Sequence, residues 1–281
     1  MTDNIFGGLE KFGLETLIDK AADIFDSAAK RKQPEAETKK EKVFDIDDYI
    51  YPKRFDCPVC LKNFITFVPK WSKMRLQGTD YDLRAIYEPI NPMFYDVIVC
   101  EFCGYSAVSE SFSKITERQS EFILSEISPN FKPYVYPKEP DIDMVIDRYK
   151  LALLSSTIKR AKFGEKAYVC MKLAWLYRIK GDELENEKMF AQLASRGFAN
   201  ALADERTPIM GLEEGTILYL IAAFSKFLGQ NKNAMKILST IIVSKKASER
   251  LKNRARDLKN EIIAESTKKN IAPPHNKLLT F

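Results

Sequence analysis

A single histidine among 281 residues leaves little room for His-based catalysis. A Ser-His-Asp triad would have to use His275, in a tail directly behind Pro273 and Pro274. No Gly-x-Ser-x-Gly elbow, His-Glu-x-x-His pair or phosphate-cradling glycine loop is present. Long apolar runs are missing too. The longest, Ile217 to Phe224, falls far short of the roughly 20 residues that span a bilayer. The opening residues MTDNIFGG hold no basic patch ahead of an apolar core, so no secretory signal is expected and a reducing, cytoplasmic setting is. Hydrophobic residues at 45% and charged residues at 30% are ordinary for a globular protein and exclude wholesale disorder. The length fits about two domains.

Cysteine is scarce but placed. Cys57 and Cys60 form one Cys-x-x-Cys pair, Cys100 and Cys103 another, with 39 residues between them. In a reducing compartment such pairs read first as a tetrahedral zinc site rather than disulfides. A two-residue gap lets a tight turn aim two sulfurs at one ion, and two such turns complete the tetrahedron. Pro58 stiffens the first turn, and Gly104, directly after the second pair, can take a positive φ. The insert is longer than the usual spacing of about 15–20 residues, which argues against a minimal zinc ribbon but not against metal. Four thiolates leave no open position, so the site is expected to be structural, holding one Zn²⁺. Lys62, Lys70, Lys73 or Arg75 would offset its net negative charge. A redox dithiol is the alternative, although neither pair precedes a convincing helix pattern. Cys170, among Ala167, Leu173 and Ala174, reads as an inert core thiol.

Along the chain, residues 1–27 hold an amphipathic helix pattern (Leu14, Leu17, Ile18, Ala21, Ile24, Phe25). It could dock on a partner, fold back on its own chain, or touch a membrane surface. A charged linker follows over 28–42. The metal-binding domain is placed at 43–128, with strands at Phe64–Val68, Phe94–Val99 and Tyr105–Ser109. The turn-rich stretch Gln77–Pro92 reads as an irregular excursion. Its Asp80, Tyr81, Asp82, Arg84 and Tyr87 either pack locally or form a binding surface. Prolines 129, 133, 137 and 140 mark a connector over 129–140.

From 141 to 265 the pattern is helical, with a tail at 266–281. Helix–glycine–helix units recur around Gly181 and Gly229, as in tetratricopeptide repeats with an insertion at about 195–214. The last helix, 247–265, carries a narrow stripe of Leu251, Ala255, Leu258 and Ile262, suited to capping a stack. Tyr149, Tyr168, Tyr177, Tyr219 and Arg178 are candidates to line its concave face. Between Lys226 and Lys277 lie 13 basic and 4 acidic residues. That is either a solvated outer face or a surface for a polyanion.

Three segments together resemble the bacterial domain of unknown function 2225 family: FDCPVCLKNF, WSKMRLQGTDYDLRAIYEPINPMFYDVIVCEFCGYSA and RYKLALLSSTIKRAKFGEKAYVCMKLAWLYR. The resemblance covers about residues 45–265. It implies a cytoplasmic protein with a metal-binding Cys-x-x-Cys set, here Cys57, Cys60, Cys100 and Cys103, followed by tetratricopeptide-like helices, and no known reaction. The expected fold is α+β, a small zinc-ribbon-like β domain followed by an all-α helical domain. The expected function is a non-enzymatic zinc-binding adaptor with a protein or peptide partner. The alternatives are nucleic-acid binding through the zinc domain and basic C-terminal helices, and dithiol redox activity.

Overall fold

The computed structural model describes residues 44–271. The helix expected over 1–27, the linker at 28–42 and the tail beyond 271 lie outside them. The described chain mixes α and β, with three antiparallel strand pairs first and helices after them.

Strand β1 (Ile50–Asp56) pairs with β2 (Asn63–Pro69), from Ile50 opposite Pro69 to Asp56 opposite Asn63. The first cysteine pair forms the turn between them. β5 (Val97–Val99) and β6 (Ser106–Val108) repeat the arrangement around the second pair. The expected strand from Phe94 is shorter, because Asn91 caps a 3-10 turn over Pro92–Tyr95. Its side chain accepts from the Met93 amide, and Pro92 presets the turn. The stretch Gln77–Pro92 is no irregular excursion. It contributes to a hairpin of β3 (Arg75–Thr79) and β4 (Ala85–Glu88). A bulge between Leu76 and Gly78 breaks the alternation that would have announced it.

The hairpin β5–β6 separates two cores. Val97, Val99 and Val108 pack with the helices, whereas Ile98 and Ala107 pack with the cysteines. Strands buried on both faces read as continuous apolar runs, which fits Val97-Ile98-Val99. Helix α1 (Glu117–Glu126) opens with a capping box of Thr116 and Gln119 and buries Ile123 in the cysteine core.

Helix α2 (Ile142–Ile158) lies against β5 and β6. Its buried Arg148 donates to the carbonyls of Phe94 and Val97, and Tyr149 donates to that of Met93 at 3.2 Å. Helix α3 (Phe163–Lys180) buries residues all round, as a central helix must. Its neighbour α4 (Leu184–Asp204) approaches closely at Gly197, where a Cβ would meet that of Ala167 at 2.9 Å. Helices α5 (Glu214–Phe227), α6 (Asn231–Val243) and α7 (Glu249–Ile271) complete the chain. The two expected glycines close their helices in the left-handed region, Gly181 at φ +87° and Gly229 at φ +75°. α7 runs past the expected 265 and buries Ala255, Leu258 and Ile262, as its stripe predicts.

Candidate metal centre

The site is built by two hairpin tips of the same construction. In the first, the Leu61 amide donates to the Cys57 carbonyl and the Cys57 amide to that of Lys62, both at 3.0 Å. In the second, Gly104 donates to the Cys100 carbonyl at 3.0 Å and Cys100 to that of Tyr105 at 2.9 Å. The residue after each second cysteine takes a positive φ, +60° at Leu61 and +75° at Gly104. Gly104 is constrained twice over, since a Cβ there would sit 2.6 Å from the Phe131 ring.

The four sulfurs meet. Cys57 Sγ lies 3.6 Å from Cys103 Sγ, Cys60 Sγ 3.6 Å from Cys100 Sγ, and all four fall within 4.8 Å of one another. Zinc–sulfur bonds of about 2.3 Å place tetrahedral sulfurs roughly 3.8 Å apart. A disulfide needs about 2.05 Å. The donor set therefore fits a tetrahedral thiophilic ion. Cys57, Cys100 and Cys103 are buried and Cys60 is partly so.

Without an ion the thiols compete for protons. Sharing a hydrogen bond with Cys100, together with burial, pushes Cys57 up to about 12. Hydrogen bonds shared with Cys100 and Cys57, together with burial, also push Cys103 up. Hydrogen bonds from Cys103 and Cys57 hold Cys100 far below the usual thiol range. The neighbouring thiols favour a thiolate at Cys100, and ionisation of all four would call for a bound cation.

Backbone donors approach two of the sulfurs. The amides of Val59 and Cys60 point at the Cys57 sulfur, and those of Phe102 and Cys103 at that of Cys100. Lys62 lies over the Phe102 ring at 4.9 Å, but Lys70 donates to the Asp47 carbonyl. Lys73 sits in a 3-10 turn and Arg75 on β3. Behind the sulfurs, Phe55, Phe64, Tyr105 and Phe112 form an aromatic cluster, and Tyr105 donates to the Phe112 carbonyl at 3.1 Å.

Residues 50–262 match the sequence model of the family described as an uncharacterized protein conserved in bacteria, DUF2225. The chain belongs to that family. No curated protein and no solved structure matches it. All four cysteines of this DUF2225 chain lie inside the matched span. No helix among the described residues is long and apolar enough to cross a membrane.

Of the polar cluster at 80–87, Asp80, Tyr81 and Asp82 pack against helices, Arg84 pairs with Asp80 at 2.6 Å, and Tyr87 packs on Trp71. Arg178 of α3 reaches Asp82 at 2.8 Å, Asp80 at 3.2 Å, Glu187 at 2.8 Å and the Tyr81 hydroxyl at 3.1 Å. Trp175 donates to Asp82 at 2.9 Å, and Tyr219 to the Tyr81 carbonyl at 2.8 Å. Of the aromatic residues expected on a concave face, Tyr149, Tyr177 and Tyr219 are buried. Tyr168 instead lines a cleft between the strand pairs and the helices. Cys170 is buried in the helical core as expected. In the basic C-terminal stretch, Lys226 pairs with Glu261 and Glu265, and Lys252 with Glu249.

Proposed function

We propose that this chain is a non-enzymatic, cytoplasmic zinc-binding protein that works by binding a protein or peptide partner. The convergence of Cys57, Cys60, Cys100 and Cys103 from two matched hairpin tips carries the reading. Four thiol donors satisfy a tetrahedral ion and keep no position for substrate, which is the structural rather than the catalytic use of zinc. In this reading the two hairpins form a zinc-ribbon-like unit. The pairs α3–α4 and α5–α6, each joined through a left-handed glycine, are tetratricopeptide-like, with α7 as the cap. Such stacks commonly present a partner-binding face.

The deciding measurement is metal content per chain on untagged protein, with free thiols counted before and after chelation. One zinc and four thiols appearing on its release support a closed structural site. Metal-free protein with a readily formed disulfide would replace it with redox chemistry. Capture on the metal-loaded full chain, with and without nuclease, then separates a protein partner from nucleic acid.

A further inference from the structure

The cleft that Tyr168 borders has a volume of about 690 Å³. Small-ligand sites span roughly 300–1,000 Å³. Its walls come from parts of the chain far apart in sequence. Strand β1 alternates, so Tyr51, Lys53 and Phe55 share the face turned into the cleft. Trp71 and Tyr87 also line it, edge to face with centroids 6.1 Å apart. Helix α3 supplies Tyr168, Lys172 and Trp175. Trp71 keeps 63% of its surface exposed, unusual for the largest aromatic side chain.

The charges lining this space are unequal in what they have left to offer. Asp96 accepts from the Ser109 hydroxyl at 2.6 Å and from the Tyr149 hydroxyl at 3.3 Å. Glu110, at the rim, pairs with Lys114 at 3.7 Å. Lys53 and Lys172 form no ion pair among the described residues. Lys53 rests 5.1 Å over Phe55, and Lys172 rests 5.1 Å over Tyr168 and 5.2 Å over Trp175. Cations laid on aromatic faces are held in place while keeping N–H donors to give. Among the described residues no arginine lines the cleft, and arginine forks are the usual choice for phosphate groups.

We infer that this cleft binds a small organic acid, its aromatic or branched apolar body held among Tyr51, Trp71, Tyr87 and Tyr168 and its carboxylate or sulfonate on Lys53 and Lys172. The inference does not depend on the metal reading, and either can fail alone.

The chain has two tryptophans, Trp71 and Trp175, and both line the cleft. Their emission therefore reports on this site directly. The probe is anilinonaphthalene sulfonate, an aryl acid, with phenylnaphthylamine as its uncharged counterpart, titrated into the full chain by tryptophan quenching and calorimetry. The sulfonate is expected to bind once per chain, quench the tryptophans, and bind at least about tenfold more tightly than the amine. The Lys53→Met/Lys172→Met variant should erase that preference at unchanged melting temperature. Trp71→Ala, at an exposed position, should weaken both probes. Absence of saturable binding coupled to quenching, or an unaltered preference in the folded double-lysine variant, overturns the inference.

Discussion

Asp82, in the turn between β3 and β4, lies 2.8 Å from the guanidinium of Arg178 near the end of α3, although 96 residues separate them in sequence. The Asp82 side chain is fully buried. Burial opposes the charge on Arg178, but the hydrogen bond and charge of Asp82 outweigh it and raise its pKa. This contact ties the insert between the cysteine pairs to the helices.

Asp82→Ala removes the acceptor for both Arg178 and Trp175. Removing one partner of a buried pair costs about 3–5 kcal/mol, and Asp80 and Glu187 remain to moderate it. Urea unfolding followed by circular dichroism should place the loss toward the lower end, with Asp82→Asn milder. A loss below about 1 kcal/mol would mean the pair adds little to stability.

The two hairpin tips predict opposite outcomes for one kind of change. Leu61 is 81% exposed with φ +60°, so its side chain packs little and its backbone is strained. Leu61→Gly should stabilise by up to about 1 kcal/mol, the strain relieved less the added freedom of the unfolded chain. Gly104→Ala should destabilise by more than about 1 kcal/mol, through φ and collision with Phe131. Both follow from unfolding midpoints of metal-loaded protein.

Removing bound metal should lower the melting temperature and expose four thiols to a colorimetric reagent. Cys100→Ser or Cys103→Ser should abolish stoichiometric binding. Because thiols must lose protons to bind, affinity should fall as pH falls. Competition with a chromogenic chelator at several pH values checks the sign, and a flat profile would contradict thiolate ligation.

Alkali should act through Cys170 as well. Burial raises its pKa from 9.0 to about 12. The folded state therefore holds that proton more tightly than the unfolded one. The stability this contributes is complete below about pH 9 and is lost as pH rises toward about 12, at roughly 1.4 kcal/mol per pH unit. Comparing wild type with Cys170→Ala by urea unfolding from about pH 8 to 10 isolates the effect. Equal slopes for the two proteins would place the alkaline loss elsewhere.

The meeting of the four cysteines was legible because Cys-x-x-Cys is a local pattern, and Gly104 marked the second turn. The central helices were legible through apolar periodicity, with Gly181 and Gly229 as stops. Helix α1 passed unnoticed although Thr116-Glu117-Arg118-Gln119 spells its capping box. Its charged face outweighed a single fully buried residue, Ile123. The hairpin β3–β4 was hidden by its own bulge. Periodicity places Tyr149, Tyr177 and Tyr219 each within its own helix, but does not tell whether its face looks inward. The cleft was beyond reach for a related reason. Trp71 and Lys53, near one hairpin, line the same cleft as Lys172 only through packing of that hairpin against a helix distant in sequence, on which local pattern is silent.

The two tips of the cysteine site are made at different times. Cys100 follows Cys60 by 40 residues, and Cys103 follows Cys57 by 46. At synthesis rates of about 5–20 residues per second, the first pair waits roughly 2–8 seconds for the second. During that interval a nascent chain offers two thiols, open to oxidants and to any soft ion, and nothing distinguishes a right guest from a wrong one. In the proposed zinc-bound form, only docking of the second tip would turn that half-site into a four-coordinate one, so any choice of metal would belong to the finished fold.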